Sequence, residues 1–206
     1  MNTIETSSNN TTKLTRKQQA MQTKEHLLSV SLKLVREHGF DNVKISDICN
    51  EAGVSTGAFY HHLNNKAGIV IAAYSKCDDY FAETVYPGLK DRKDTDVVLD
   101  YLEMQLKYAN ENGPDLCTQI YKAQLTEGTE FFLSLPRSLP HGLILLIESL
   151  QKDGLVSDEC SAKEIGSELL LISRGAIYHW CQCHGNYDLL ADTRTILSRF
   201  WKTYIL

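Results

Sequence analysis

The chain has 206 residues, 43% of them hydrophobic and 23% charged, which are ordinary values for a folded globular protein. This apolar content excludes a disordered chain, because it can offset the conformational entropy of a packed core. The formal charge is −5, but it is uneven: residues 1–66 hold eight Lys/Arg against six Asp/Glu, and the remainder holds 13 against 20. A mildly basic head on an acidic body points to different partners for the two parts.

The stretches lacking Asp, Glu, Lys and Arg reach 14 residues at Ala52–Asn65 and 13 at Gly175–Tyr187, short of the roughly 20 predominantly apolar residues that a membrane span requires. Met1–Thr12 is polar and has no apolar core of a secretory signal. A soluble, cytoplasmic protein with no membrane partner is expected. The six cysteines are scattered, as reduced structural thiols are. Cys181-Gln-Cys183 lacks the spacing of a zinc knuckle, so no metal and no cofactor are expected.

Residues 1–14 are rich in Ser, Thr and Asn and read as a disordered tail, with Lys13, Arg16 and Lys17 as basic residues in or beside it. Thr15-Arg-Lys-Gln18 has the form of a capping box, and Leu27/Leu28, Ser31/Leu32 and Leu34/Val35 recur at helical steps up to Gly39. Two short helices, Ser46–Ala52 and Thr56–Leu63, flank Gly53-Val54-Ser55. Asn64/Asn65 can cap a helix from Lys66 to about Tyr86, where Pro87-Gly88 ends it. Another opens at Asp94 or Thr95 and stops at Gly113-Pro114, and residues 115–127 follow as helix. An irregular stretch over 128–137 contains a turn around Phe131–Leu133. The next helix covers Ser138–Lys152, and Ser161-Ala-Lys-Glu164 caps a long one reaching His184. The last carries apolar residues from Leu189 to Ile205. Period-two alternation is missing throughout, so the predicted fold is all-α with about nine helices.

The informative stretch is Ile45–Lys66, ISDICNEAGVSTGAFYHHLNNK. Helices of two turns do not persist alone and must be braced by their neighbours. Ile48, Cys49, Phe59 and Leu63 supply the inward face, Gly53 the sharp turn, and Ser55 a hydroxyl that caps the second helix. This is the pattern of a helix-turn-helix, whose second helix enters the major groove by its N-terminal half. Thr56, Gly57, Ala58 and His61 form the leading edge, where small residues let the backbone approach base edges. Tyr60, His62 and Lys66 offer phosphate contacts, together with the N-terminus of the helix that opens at Lys66. Lys and Arg are missing from residues 56–62, so the bidentate guanine contact is unavailable and shape must contribute to readout. An ordinary helical hairpin, in an all-α adaptor that binds protein, is the alternative reading.

The run from His26 to Val70 resembles the DNA-binding domain of the TetR/AcrR family of bacterial regulators. Its most specific parts are Glu37-His38-Gly39-Phe40, Asp47-Ile48, Ala52-Gly53-Val54-Ser55, Gly57-Ala58-Phe59-Tyr60-His61-His62 and Lys66. The resemblance implies DNA contacts at Ser46, Thr56, Gly57, Ala58, Tyr60, His61, His62 and Lys66, and Ser55 is counted with them as a DNA-binding candidate. Lys44-Ile45 stands where the family usually has Thr, so Ser46 is expected to cap the first short helix. Leu63 replaces the usual Phe. The resemblance further implies a domain at 15–66 for double-stranded DNA and a domain at 67–206 for ligand binding and homodimerisation. Tyr101, Tyr108, Tyr121, Tyr178 and Trp180 are the candidate pocket residues, for a small apolar or aromatic effector. Ile196, Phe200, Trp201 and Tyr204 on the last helix are the candidate dimer contacts. The chain has no Gly-rich phosphate loop, no G-x-S-x-G and no HExxH, so no enzyme is expected.

Overall fold

The computed structural model describes residues 15–127 and 137–206; the expected tail 1–14 and the expected turn around Phe131–Leu133 lie outside the described residues. Among the described residues nine α-helical elements follow one another. They are α1 (Arg16–His38), α2 (Ile45–Ala52), α3 (Thr56–Leu63), α4 (Ala67–Tyr80), α5 (Tyr86–Leu89), α6 (Asp96–Glu127), α7 (Ser138–Lys152), α8 (Ala162–Gln182) and α9 (Leu189–Trp201). A π-helical turn, Phe81–Val85, joins α4 to α5. The extended structure among these residues is an isolated antiparallel bridge, Val156 to Ile205. None of the described helices is long and apolar enough to cross a membrane.

The head forms from local signals. The Thr15 hydroxyl accepts the Gln18 N–H at 3.3 Å, and the Gln18 side chain takes the Thr15 N–H at 2.9 Å, so two donors at the start of α1 are satisfied. Gly39 at φ 82° and Gly53 at φ 65° turn the chain out of α1 and α2 through conformations costly for residues with a Cβ. Ile48 and Phe59 are fully buried and Leu63 nearly so, packed with Leu27, Val35, Ile69 and Leu116. Burying such a side chain stabilises by about 1.5–3 kcal/mol, which holds two helices too short to stand alone. Because Ile69, Val70, Ala73 and Leu116 belong to this cluster, the head's core extends past Lys66 into α4 and α6.

α8 is the central helix of the body and packs on α6, α7 and α9. Its N-cap is the predicted box: the Ser161 hydroxyl accepts the Glu164 N–H at 3.2 Å, and the Glu164 carboxylate accepts the Ser161 N–H at 2.9 Å. α6 breaks at Gly113, whose φ of 82° and ψ of 160° lie outside the helix, immediately before Pro114. The break falls where Gly113-Pro114 predicted a stop. On the surface, Arg194 bridges Asp100 and Glu103, tying α9 to α6 by half-exposed ion pairs that add little stability each.

Four local expectations need correction. Ser46 does not cap α2; Lys44 is the N-cap, its N–H is taken by the Asp47 carboxylate at 3.1 Å, and Ser46 lies exposed inside the first turn. The helix of α4 does not end at Pro87-Gly88 but continues as α5 to Leu89. Pro87 has no N–H to offer, and the preceding π turn, where Tyr86 donates to the Phe81 carbonyl, widens the helix just before it. α8 ends at Gln182 rather than His184, because His184 and Gly185 both take positive φ. α9 ends at Trp201, and the chain then leaves the helix to pair with the strand-like segment after α7, where Ser157 donates to the Tyr204 carbonyl at 2.9 Å.

Candidate nucleic-acid interface and body cleft

α3 is fixed from behind by Phe59 and Leu63, which leaves its opposite face outward. The Ser55 hydroxyl accepts the Ala58 N–H at 3.2 Å, so Ser55 acts through its cap. Thr56, Gly57 and His61 are exposed, and Ala58 is half-buried. Tyr60 is 49% exposed, with its ring edge-on to Phe59 at 5.8 Å. His62 is half-buried beside His61, with ring centroids 5.0 Å apart. Burial holds the His62 pKa below that of an ordinary imidazole, and the nearby His61 and Lys24 reinforce the effect. Lys66 is anchored: its ammonium donates to the Asp41 carbonyl at 3.3 Å and lies 4.6 Å from the Phe40 ring centroid. The start of α4 is less open than expected, because the Asn65 side chain accepts the Gly68 N–H at 2.9 Å.

Gly68 was not recognised in the sequence. A Cβ there would lie 1.7 Å from the Leu63 carbonyl oxygen, so α4 meets the end of α3 at a distance only glycine permits. A second contact joins head to body: the Phe40 N–H donates to the Asp115 carboxylate, just beyond the break in α6.

The body contains a cleft of about 740 Å³, counting its open mouth, between α4, α6, α7 and α8. Tyr108 and Tyr121 line it. Tyr101 does not; it is fully buried in the main core, where its hydroxyl donates to the Leu139 carbonyl at 2.9 Å. Trp180 is also core, packed under Gly185, with its indole nitrogen buried and without a hydrogen-bond partner among the described residues. Tyr178 is 47% exposed on the outer side of α8 and meets Tyr121 edge-on at 5.6 Å. The expectation of five aromatic pocket residues therefore reduces to Tyr108 and Tyr121. A helical stripe is apolar in sequence whether it faces a cavity or a solid core.

The cleft also contains groups that sequence reasoning missed. Arg137 pairs with Asp78 at 2.6 Å, with both side chains largely buried, and lies 4.0 Å from the Tyr74 ring centroid. Arg174 lines the wall, and so do the thiols of Cys77 and Cys117. Burial pushes the Cys77 thiol up to about 12, so it stays protonated. No group of three His, Cys, Asp or Glu among the described residues is arranged to hold a metal.

The dimer candidates separate. Trp201 is fully buried in the monomer, where its indole N–H donates to the Thr95 carbonyl at 2.9 Å, and cannot serve as an outer contact. Phe200 and Tyr204 are half-buried against the main core, and Tyr204 donates to the Glu168 carboxylate. Ile196 is 51% exposed. On α8, Leu171 is 74% exposed and shares a face with Gly175 and Tyr178, at i, i+4 and i+7. That stripe was legible as periodicity, but so was the buried one on the same helix.

The architecture is that of a helix-turn-helix head carried on an all-helical body, with the second short helix turned outward. A family profile described as "Bacterial regulatory proteins, tetR family" matches residues 27–73. The transcriptional regulator AcrR of Shigella flexneri is 36% identical over 53 residues, 26% of this chain and 25% of that protein. The regulator CymR of Pseudomonas putida is 30% identical over 88 residues, 43% of each chain. The chain thus matches less than half the length of these curated relatives. A TetR-family regulator from Pectobacterium atrosepticum has the same fold at TM-score 0.70 and 21% identity, covering 94% of this chain and 98% of that one. FadR of Thermus thermophilus, a TetR-family repressor in complex with lauroyl-CoA, superposes at TM-score 0.66 and 19% identity, over 86% and 92%. Residues 27–73 thus resemble the N-terminal region of tetR-family proteins, and the curated relatives matched there are named as transcriptional regulators.

Proposed function

We propose that this chain is a cytoplasmic, homodimeric repressor that binds a palindromic operator and is released by a small ligand. The observation that carries the reading is the outward edge of α3: Thr56, Gly57 and His61 are exposed beside a capped N-terminus, and Tyr60 reaches out from the next turn. Such a helix places its first turns against base edges, and Tyr60, His62 and Lys66 flank it for phosphates. One short helix without a guanine-reading arginine has low specificity, so two copies on half-sites ~34–36 Å apart are required. The exposed apolar stripe of Leu171, Gly175 and Tyr178, with Ile196 on α9, supports the two-fold contact.

Release by a ligand has a physical route. Ala73 and Leu116 belong both to the head's core and to the cleft wall. Asp115, on the far side of the Gly113 break, clasps the head at Phe40. A ligand that fits the cleft better in one setting of α4 and α6 therefore biases the angle of the head. A coupling of ~1–3 kcal/mol lowers operator affinity ~5–150-fold.

The test is a mobility-shift assay with fragments from around the chain's own gene, followed by footprinting. A shifted inverted repeat whose binding falls at least about tenfold on Tyr60→Ala is expected. Unchanged binding by Tyr60→Ala together with Thr56→Ala would mean that α3 is not the reading helix.

A further inference from the structure

We infer that the cleft takes an amphipathic organic anion, an apolar tail carrying one carboxylate, whose head group is received by Arg174. The inference rests on the ligand-released reading and names the chemical class of the ligand. It differs from the neutral apolar effector expected from sequence, and the polar groups of the wall are the reason.

Each of those groups is either engaged inside the protein or left over. The Tyr108 hydroxyl donates to the Ala73 carbonyl at 3.1 Å, and the Tyr121 hydroxyl donates to the Arg174 carbonyl at 2.7 Å. Their single protons are used, so the cleft meets two aromatic rings and not two donors. The Gln105 side chain accepts from Ser173 at 2.9 Å, and the Asn112 amide donates to the Tyr108 carbonyl at 2.7 Å. Arg137 is neutralised by Asp78. That leaves Gln124, a neutral amide, and Arg174, a cation: among the described residues the Arg174 guanidinium makes no hydrogen bond or ion pair, although it is half-buried on the wall.

No carboxylate is among the described lining residues, and the remaining wall is mainly Ala, Leu, Ile, Pro and Cys. A permanent cation on the wall of an apolar slot, with no counter-ion among the described residues, favours a ligand that brings one. Guanidinium and carboxylate match as a fork, with two parallel hydrogen bonds. The Arg174 side chain makes no internal contact of this kind, so its replacement removes a ligand contact without removing a structural one. Tyr121 bonds the backbone carbonyl at that position, and any side chain retains it.

The experiment titrates the full-length protein with three probes sharing one tail, decanoate, decan-1-ol and decylamine, read by calorimetry and thermal shift at pH 7. Decanoate is expected to bind about 10- to 100-fold more tightly than the alcohol, with the amine weakest. Arg174→Gln is expected to abolish that preference and leave the affinity for the alcohol unchanged. Equal binding of acid and alcohol by the wild type overturns the anionic head group while the ligand cleft stands. A preference for decanoate that persists in Arg174→Gln overturns the role of Arg174. Binding of none of the three probes overturns the tailed anion and counts against the cleft itself.

Discussion

The head and the body dispose of their polar groups in opposite ways. On α3 the backbone start is capped by Ser55, and the side chains that follow, Thr56, Tyr60 and His61, point into solvent. In the cleft the hydroxyls of Tyr108 and Tyr121 are turned back onto carbonyls of the protein's own helices, and Arg174 has no ion pair among the described residues. A convex surface can keep its donors outward, where water satisfies them at little cost, and under the proposed reading they are then available to phosphates and base edges. A concave apolar site cannot leave many donors unmatched, because each would lose water without gaining a partner. The few groups left unmatched therefore define what the site is suited to bind.

The comparison is most exposed to failure at the buried ion pair behind the cleft. Asp78→Ala leaves the Arg137 charge in a largely buried position and is expected to cost about 3–5 kcal/mol in urea unfolding. A loss below about 1 kcal/mol would show that Arg137 reaches water and is as available to a ligand as Arg174. Next in size is Gly68→Ala, which forces α4 away from the Leu63 carbonyl. It should cost about 1–3 kcal/mol and weaken operator binding while leaving the cleft's affinity for its probes intact. A loss of both would mean that head and body unfold as one unit.

Ser55→Ala removes a cap and should cost about 1 kcal/mol, with Ser55→Gly milder. If the alanine variant binds DNA normally at unchanged stability, the α3 start is held by something other than its cap. The smallest effect concerns His62. Its pKa is depressed in the folded head, so the unfolded chain takes up the proton first as pH falls. Stability from this group is complete above the unfolded imidazole value of about 6.5 and declines as pH drops below it toward the folded value. The imidazole resonances of His62 should titrate with a midpoint under about 6.5; a midpoint at or above that value would remove the crowding at the back of α3.

Much of the head was legible before any coordinates, and for a local reason. The capping box at Thr15, the turn at Gly53 and the cap at Ser55 are interactions between residues no more than three apart, and so is the box at Ser161 in the body. Even there, Ser46 was misassigned, because Asp47 competes for the same backbone donor and prevails. The body was legible as helices but not as surfaces. Tyr101 and Tyr108 are two turns apart on α6, yet one fills solid core and the other lines a cavity. Trp201 and Ile196 are both on α9, yet one is sealed under the Thr95 carbonyl and the other is exposed.

The order of residues alone determined an all-helical chain, a short serine-capped helix braced by its neighbours, and where most helices start and stop. These follow from preferences that act within a turn or two of the backbone. Which apolar stripe faces a neighbour, which encloses an empty volume, and which polar group is left unmatched were decided by the angles at which α4, α6, α7 and α8 pack. Those angles arise from contacts between residues tens of positions apart, such as Arg137 with Asp78 and Phe40 with Asp115, which no local pattern encodes.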